Sequence, residues 1–159
     1  MTPSDPDQEF IAVDELVVRA LFENPADLDE SSQWQFRHDK DRDECAESVF
    51  WRKYAASNAI LHEYGYKLES IKNARLTANQ KPPVKYDGYR EVRVGAVRKI
   101  VSGRGHSMDV LHVPEPDNPS HSHIFIRAAT GTSPKKLKAP DILELVHLLL
   151  KELTPLVRP

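Results

Sequence analysis

Between Tyr89 and Arg127 the chain reads YREVRVGAVRKIVSGRGHSMDVLHVPEPDNPSHSHIFIR, and this stretch limits the fold more than any other. Val92, Val94 and Ala96 alternate with Glu91, Arg93 and Gly95, the period of two expected when one face of a strand lies on a core. A first strand is therefore expected over 91–96. Val97, Ile100 and Val101 are spaced like one helical turn, which sets Arg98 and Lys99 at a strand-to-turn corner. Ser102 to His106, with two glycines in five residues, reads as a loop. Met108, Val110 and His112 then fall opposite Asp109, Leu111 and Val113, giving a second strand over 108–113, and Ile124 to Ile126 lies in a third over 122–128. The connector from Pro114 to Ser120 is stiff, because its three prolines fix their own φ and push the preceding residues towards extended backbone. Asn118-Pro119 within it is a turn initiator, since the Asn side chain can bond the neighbouring backbone.

The same stretch concentrates histidine: His106, His112, His121 and His123 crowd into eighteen residues of a chain that holds seven. His121 and His123 point to one face by strand geometry, and a His from an antiparallel neighbour would complete a set that a transition metal can use. His112, His121 and His123 are thus the candidate metal ligands. Two other readings of these residues stand beside it: a metal-free polar site, and histidines that cap loops or lie half buried for structural reasons. No HExxH, HxxEH or CxxC pattern accompanies them, and no cofactor is indicated.

Around this centre the chain is organised simply. Residues 1–9, with two prolines and three acids, read as a disordered lead, and 10–159 as a single domain. The segment 10–19 fits either an edge strand or a short helix, and periodicity does not decide between them. Residues 24–43 are rich in Asp, Ser and Pro around Trp34 and Phe36: a long surface loop pinned by its aromatics, or a docking segment. Asp43 suits an N-cap, with Glu44 and Glu47 in a first turn and Gly65 past the end, so a helix is expected over 43–64. On that helix Ser48 and Arg52 would share a face, as a small oxyanion site or as plain exposed polarity. Residues 66–76 continue amphipathically, and 77–87 with two consecutive prolines breaks regular structure. The clearest helix is 140–153, with Pro140 at its first turn, Pro155 beyond its end, and a face of Ile142, Leu145, Val146, Leu149 and Leu153. The fold class is α+β: a small, mainly antiparallel sheet packed on two or three helices, with 43–64 and 140–153 on one face.

Composition excludes some classes. The single Cys45 rules out an internal disulfide and fits a reducing compartment. The acidic, polar start does not read as a signal peptide and no apolar run spans a bilayer, so a cytoplasmic protein without membrane contact is expected. The net charge of −2 hides an asymmetry: residues 1–47 carry fourteen acids against four Lys/Arg, and 48–159 carry ten against eighteen. A basic second half allows a nucleic-acid binder, although only Tyr86 and Tyr89 are interleaved with basic residues. There is no P-loop, no GxGxxG and no nucleophile elbow around Ser48.

The order Asp14-Glu-Leu-Val-Val-Arg19, Glu47-Ser-Val-Phe-Trp-Arg52, Val94-Gly-Ala-Val-Arg98, Val110-Leu-His112 and Asn118-Pro-Ser-His121-Ser-His-Ile124 resembles a family of small uncharacterised bacterial proteins. Members end their core on an Asn-Pro-x-His-x-x-Ile segment and are often encoded near phage-defence or mobile-element genes. Ser122 stands where that pattern has Ala. The resemblance implies no activity, but it marks Arg19, Ser48, Arg52, Arg98, His112, Asn118 and His121 as the polar residues to test. Two functions follow as expectations. The first is an interaction or accessory protein of a bacterial multi-protein system, such as one of phage defence, meeting another protein or itself through the 140–153 helix or the Trp34 loop. The alternative is a hydrolase or phosphoester-handling enzyme whose site draws on Arg52, Arg98, His112, Asn118 and His121, with or without a metal.

Overall fold

The structure is a computed structural model that describes residues 8–23 and 30–159. Six strands form one antiparallel sheet: β1 Leu16–Glu23, β2 Arg37–Asp39, β3 Glu44–Trp51, β4 Lys85–Arg93, β5 Ser107–His112 and β6 His121–Arg127. Their order is β4-β1-β3-β6-β5, with β2 beside β3. Helices α1 Asn58–Ala78, α2 Val94–Arg98 and α3 Ala139–Leu150 complete an α+β fold. Residues 1–7 of the expected disordered lead and 24–29 of the expected long loop lie outside the described residues. The last residue of that lead, Glu9, already makes contacts, donating its N–H to His112.

The second and third expected strands fall where alternation puts them, in β5 and β6. The first is displaced: β4 spans Lys85–Arg93, and Val94–Arg98 is a helical turn rather than the end of a strand over 91–96. Past Arg93 the N–H groups of Val94 and Gly95 still donate to the carbonyls of Glu15 and Val13 ahead of β1, while the chain itself winds into α2. The segment 10–19 resolves into the approach to β1, a strand with apolar groups on both faces.

The expected helix over 43–64 is a strand followed by a helix. Asp43 sits in a turn at φ 47° and caps nothing helical, and 44–51 is β3. Val49 and Trp51 face one core and Phe50 the other, so β3 is apolar on both sides and shows no alternation to read. The true N-cap is Ser57, whose Oγ accepts the Ile60 N–H, and α1 runs on to Ala78. Gly65 therefore lies within α1 instead of ending it.

The helices also divide between the faces. Val17, Val49, Trp51, Val92, Val110, Ile124 and Ile126 meet Val94 and Val97 of α2 and Leu145, Val146 and Leu149 of α3. On the opposite face Val18, Ala20, Phe22, Phe50, Tyr86 and Tyr89 meet Leu61, Tyr64 and Leu68 of α1. A sheet flanked on both sides hides its central strands twice over, which is why the two long helices do not share one face. Each fully buried Leu or Val contributes about 1.5–3 kcal/mol, so α3 is held by its apolar stripe. Past α3 the tail closes the outer edge of β4: Val157 exchanges both backbone hydrogen bonds with Tyr89, and Thr154 N–H donates to Glu91 O. That covering removes the open row of donors and acceptors that an edge strand otherwise presents.

Gly65 supplies the close approach of α1 to the sheet. A Cβ built there would lie 2.2 Å from the Tyr86 ring. Gly65→Ala should therefore lose about 1–3 kcal/mol from overpacking, against the gain of about 1 kcal/mol that Ala brings to a helix interior. Urea unfolding measures the balance, and a variant more stable than wild type would show that Tyr86 moves aside freely.

Candidate functional site

One edge of β3 is paired with β6 from Cys45 to Phe50. Its other edge is shared: residues 44–46 pair with β2, and only Phe50 and Trp51 pair with β1. Between these two partners the sheet forks. The backbone groups left at the fork are satisfied by side chains. Arg19 on β1 donates from Nη1 to the Ser48 carbonyl (2.8 Å) and from Nη2 to the Gln33 carbonyl (2.9 Å). The Gln33 amide takes the place of a neighbouring strand for Phe22, accepting its N–H at 2.8 Å and donating to its carbonyl at 3.0 Å. Trp34 lies under the Arg19 guanidinium, 5.4 Å from ring centroid to Cζ, and Glu47 pairs with Arg19 at 3.1 Å.

The fork opens into a cavity of about 410 Å³ lined by Arg19, Phe22, Ser32, Gln33, Gln35, Arg37, Ala46, Glu47, Ser48, Lys72, Arg75 and Val84. Its charge is lopsided: Arg19, Arg37, Lys72 and Arg75 face a single carboxylate, Glu47, which is engaged with Arg19. Among the described residues no carboxylate forms an ion pair with Arg37, Lys72 or Arg75. Burial lowers the Lys72 ammonium below its ordinary pKa, the charges of Arg19, Arg75 and Arg37 lower it further, and Glu47 opposes them. Like charges gathered at this density are what an anion would relieve.

Ser48 stands exposed on the rim of the cavity, and His121 meets it from β6, Nε2 to Oγ 3.1 Å. The pair is a cross-strand diagonal, since Ser48 is in register with His123 and His121 with Phe50. On the other ring nitrogen, Nδ1 lies 2.8 Å from the Val113 carbonyl and 3.3 Å from Glu115 Oε1. A carbonyl can only accept, so Nδ1 carries the proton and, in the neutral ring, Nε2 is left as an acceptor for the Ser48 hydroxyl. Burial lowers the His121 pKa, His123 and Arg42 add to this, and the Val113 carbonyl and Glu115 oppose it; the ring is held neutral near pH 7.

The remaining expected site residues are elsewhere and employed otherwise. His112 points to the α3 face and His121 to the other, so the joint His112–His121 site does not form. His112 is fully buried against Trp51 and Tyr54; its Nδ1 accepts the Glu9 N–H and its Nε2 donates to the Pro119 carbonyl, which leaves no lone pair for a metal. His121 and His123 do share a face, with ring centroids 5.1 Å apart, and His123 Nδ1 lies 4.0 Å from Glu44 Oε1. Among the described residues no group of three or more His, Cys, Asp or Glu side chains converges to hold a metal.

Arg52 is four residues from Ser48 on a strand and its exit rather than on a helix, and points away from the cavity. It ties the carbonyls of Ala55 and Ala56 and the side chains of Asn58 and Glu91 together. Arg98 bridges to Asp109 at 2.7 Å. Burial raises the Asp109 carboxyl, but hydrogen bonds from Arg98, Arg127 and the Val110 N–H outweigh it and hold the group below the usual carboxylate range. Asn118 closes the tight turn in which its backbone and that of Glu115 exchange hydrogen bonds. His106 accepts the Ala129 N–H as a loop brace.

The sequence thus pointed to Ser48 by its spacing from Arg52, to His121 by strand geometry and to Arg19 through the resemblance, and gave no sign of Gln33, Arg37, Lys72 and Arg75. Gln33 and Arg37 lie near β2 and Lys72 and Arg75 lie one turn apart on α1, and no spacing in the chain links the two groups. Compared with protein-family models, curated proteins and solved structures, the chain matches none.

Gln33→Leu should cost about 1–3 kcal/mol, because it strips both partners from the part-buried Phe22 backbone. The check is a lower urea midpoint at unchanged slope. An unchanged midpoint would mean that the Gln33 amide is not what closes the fork.

Proposed function

We propose that the protein binds a small phosphate-bearing ligand in the cavity at the fork of the sheet. The observation that carries this reading is the set of four cationic side chains set against one carboxylate around about 410 Å³. That volume is within the range of small-molecule sites, and its lining is polar where most such sites are apolar. Arginine forks match the oxygens of a phosphate in pairs, and Lys72 adds a point charge. Ser48 on the same lining adds a hydroxyl.

This reading favours the phosphoester-handling alternative over the interaction protein. The apolar face of α3 lies in the core, where Leu145 and Leu149 are fully buried, and Trp34 is covered beneath Arg19. Of the large apolar groups of α3, Leu143 alone is exposed. A bacterial, phage-defence setting rests on the resemblance alone and is proposed only as the context for such binding. Among the described residues no helix is long and apolar enough to cross a membrane.

Calorimetric titration with inorganic phosphate and pyrophosphate tests the proposal. Lys72→Ala and Arg75→Ala should each weaken binding at least about tenfold, or about 1.4 kcal/mol, with unchanged far-UV circular dichroism. Added NaCl should weaken wild-type binding. An anion favours protonated Lys72, so affinity should fall as pH rises through its lowered pKa, with proton uptake on binding in that range. Equal affinity in wild type and a Lys72→Ala, Arg75→Ala double variant would overturn the assignment.

A further inference from the structure

Resting on the phosphate-binding reading, we propose that the rim of the cavity is reactive: Ser48 is a nucleophile towards a phosphoester seated among Arg37, Lys72 and Arg75, and His121 is its general base. Four observations converge on this. Ser48 lines the cavity and is exposed, so a bound phosphorus can reach its Oγ. His121 Nε2 is within hydrogen-bond reach of that oxygen at 3.1 Å. The Val113 carbonyl, with Glu115 further off and more exposed, fixes the tautomer that leaves Nε2 free to take a proton. Finally, Ser48 is held at both ends of its peptide, its carbonyl by Arg19 and its N–H by Glu47 Oε1. Arg19 and Glu47 are thus positioning residues, while Arg37, Lys72 and Arg75 line the same cavity as Ser48 and would meet the charge of the transferring phosphoryl group.

The chemistry balances without any further reagent than water. Ser48 Oγ attacks phosphorus as its proton passes to His121 Nε2; the Oγ–P bond forms, the bond from phosphorus to the ester oxygen breaks, and the departing alkoxide takes the proton back from His121. Water then attacks the phosphoserine, giving its proton to His121. The P–Oγ bond breaks, Ser48 recovers the proton, and phosphate leaves. No residue motif announced this pair, because Ser48 and His121 lie 73 residues apart and meet only by strand register.

The test uses diisopropyl fluorophosphate, which forms an Oγ–P bond with an activated serine as P–F breaks and HF is lost. Intact-mass and peptide mapping should show one adduct, on Ser48, blocked by saturating inorganic phosphate. His121→Asn should react at least about 100-fold more slowly, while its affinity for inorganic phosphate by calorimetry stays within about threefold of wild type. A second readout needs no variant. The labelling rate of the wild type should rise as His121 loses its proton, with a midpoint below the ordinary histidine value, in the field of Glu115, His123, Arg42 and Glu44. No adduct on wild-type Ser48, or labelling of His121→Asn at the wild-type rate, overturns the dyad. If phosphate still binds in that case, the dyad alone fails; if phosphate binds nowhere, the cavity assignment fails and this proposal fails with it.

Discussion

Arg19 fills the place where the sheet comes apart. Two strands compete for one edge of β3, and neither covers Glu47 to Val49. A carbonyl left bare at such a junction would carry the penalty of an unmade hydrogen bond, and Arg19 removes it by donating to Ser48 and to Gln33 at once. A guanidinium suits this position because it offers several donors in one plane and stacks on an aromatic face, here that of Trp34. With Glu47 beside it the charge is matched, so the fork can stay open at the surface. The cavity, its cationic wall and the exposure of Ser48 all depend on that opening.

The division of the sheet between two cores explains the histidines. On β5 and β6, alternate residues go to alternate faces. His112 is drawn into the α3 core, where both of its nitrogens are spent on backbone groups, whereas His121 and His123 go to the other side. Four histidines close in sequence therefore do not make a cluster. The one that meets a hydroxyl does so across strands, with a partner far away in the chain.

What was legible in the sequence follows how many faces each element buries. β5 and β6 alternate clearly at Met108, Val110, Ile124 and Ile126, and α3 carries an unbroken apolar stripe with Pro140 at its start. β3 buries apolar groups on both faces at Val49, Phe50 and Trp51 and leaves Ser48 exposed, so ECAESVFW shows no clear period of two, and its Glu44 and Glu47 imitate the acidic first turn of a helix. Of α1 only Leu61 and Gly65 are buried, so its periodicity is faint and its Ser57 cap is hard to see among neighbouring polar residues. Half of the proposed site was legible in a similar sense: Arg19, Ser48 and His121 stood in short stretches that could be singled out. Arg37, Lys72 and Arg75 sit in stretches that look like any solvated surface.

By itself, then, the sequence determined the α+β class, the antiparallel pairing around the Pro114–Ser120 connector, the C-terminal helix and the shared face of His121 and His123. Those are local matters of period, proline and capping, settled within ten or fifteen residues. Only the tertiary structure decided that β3 is a strand, that helices flank both faces, that the sheet forks, and that Ser48 meets His121 beside four cations. These depend on register between segments distant in the chain, and register is set by which faces find a core, a quantity that exists only once the whole sheet has assembled.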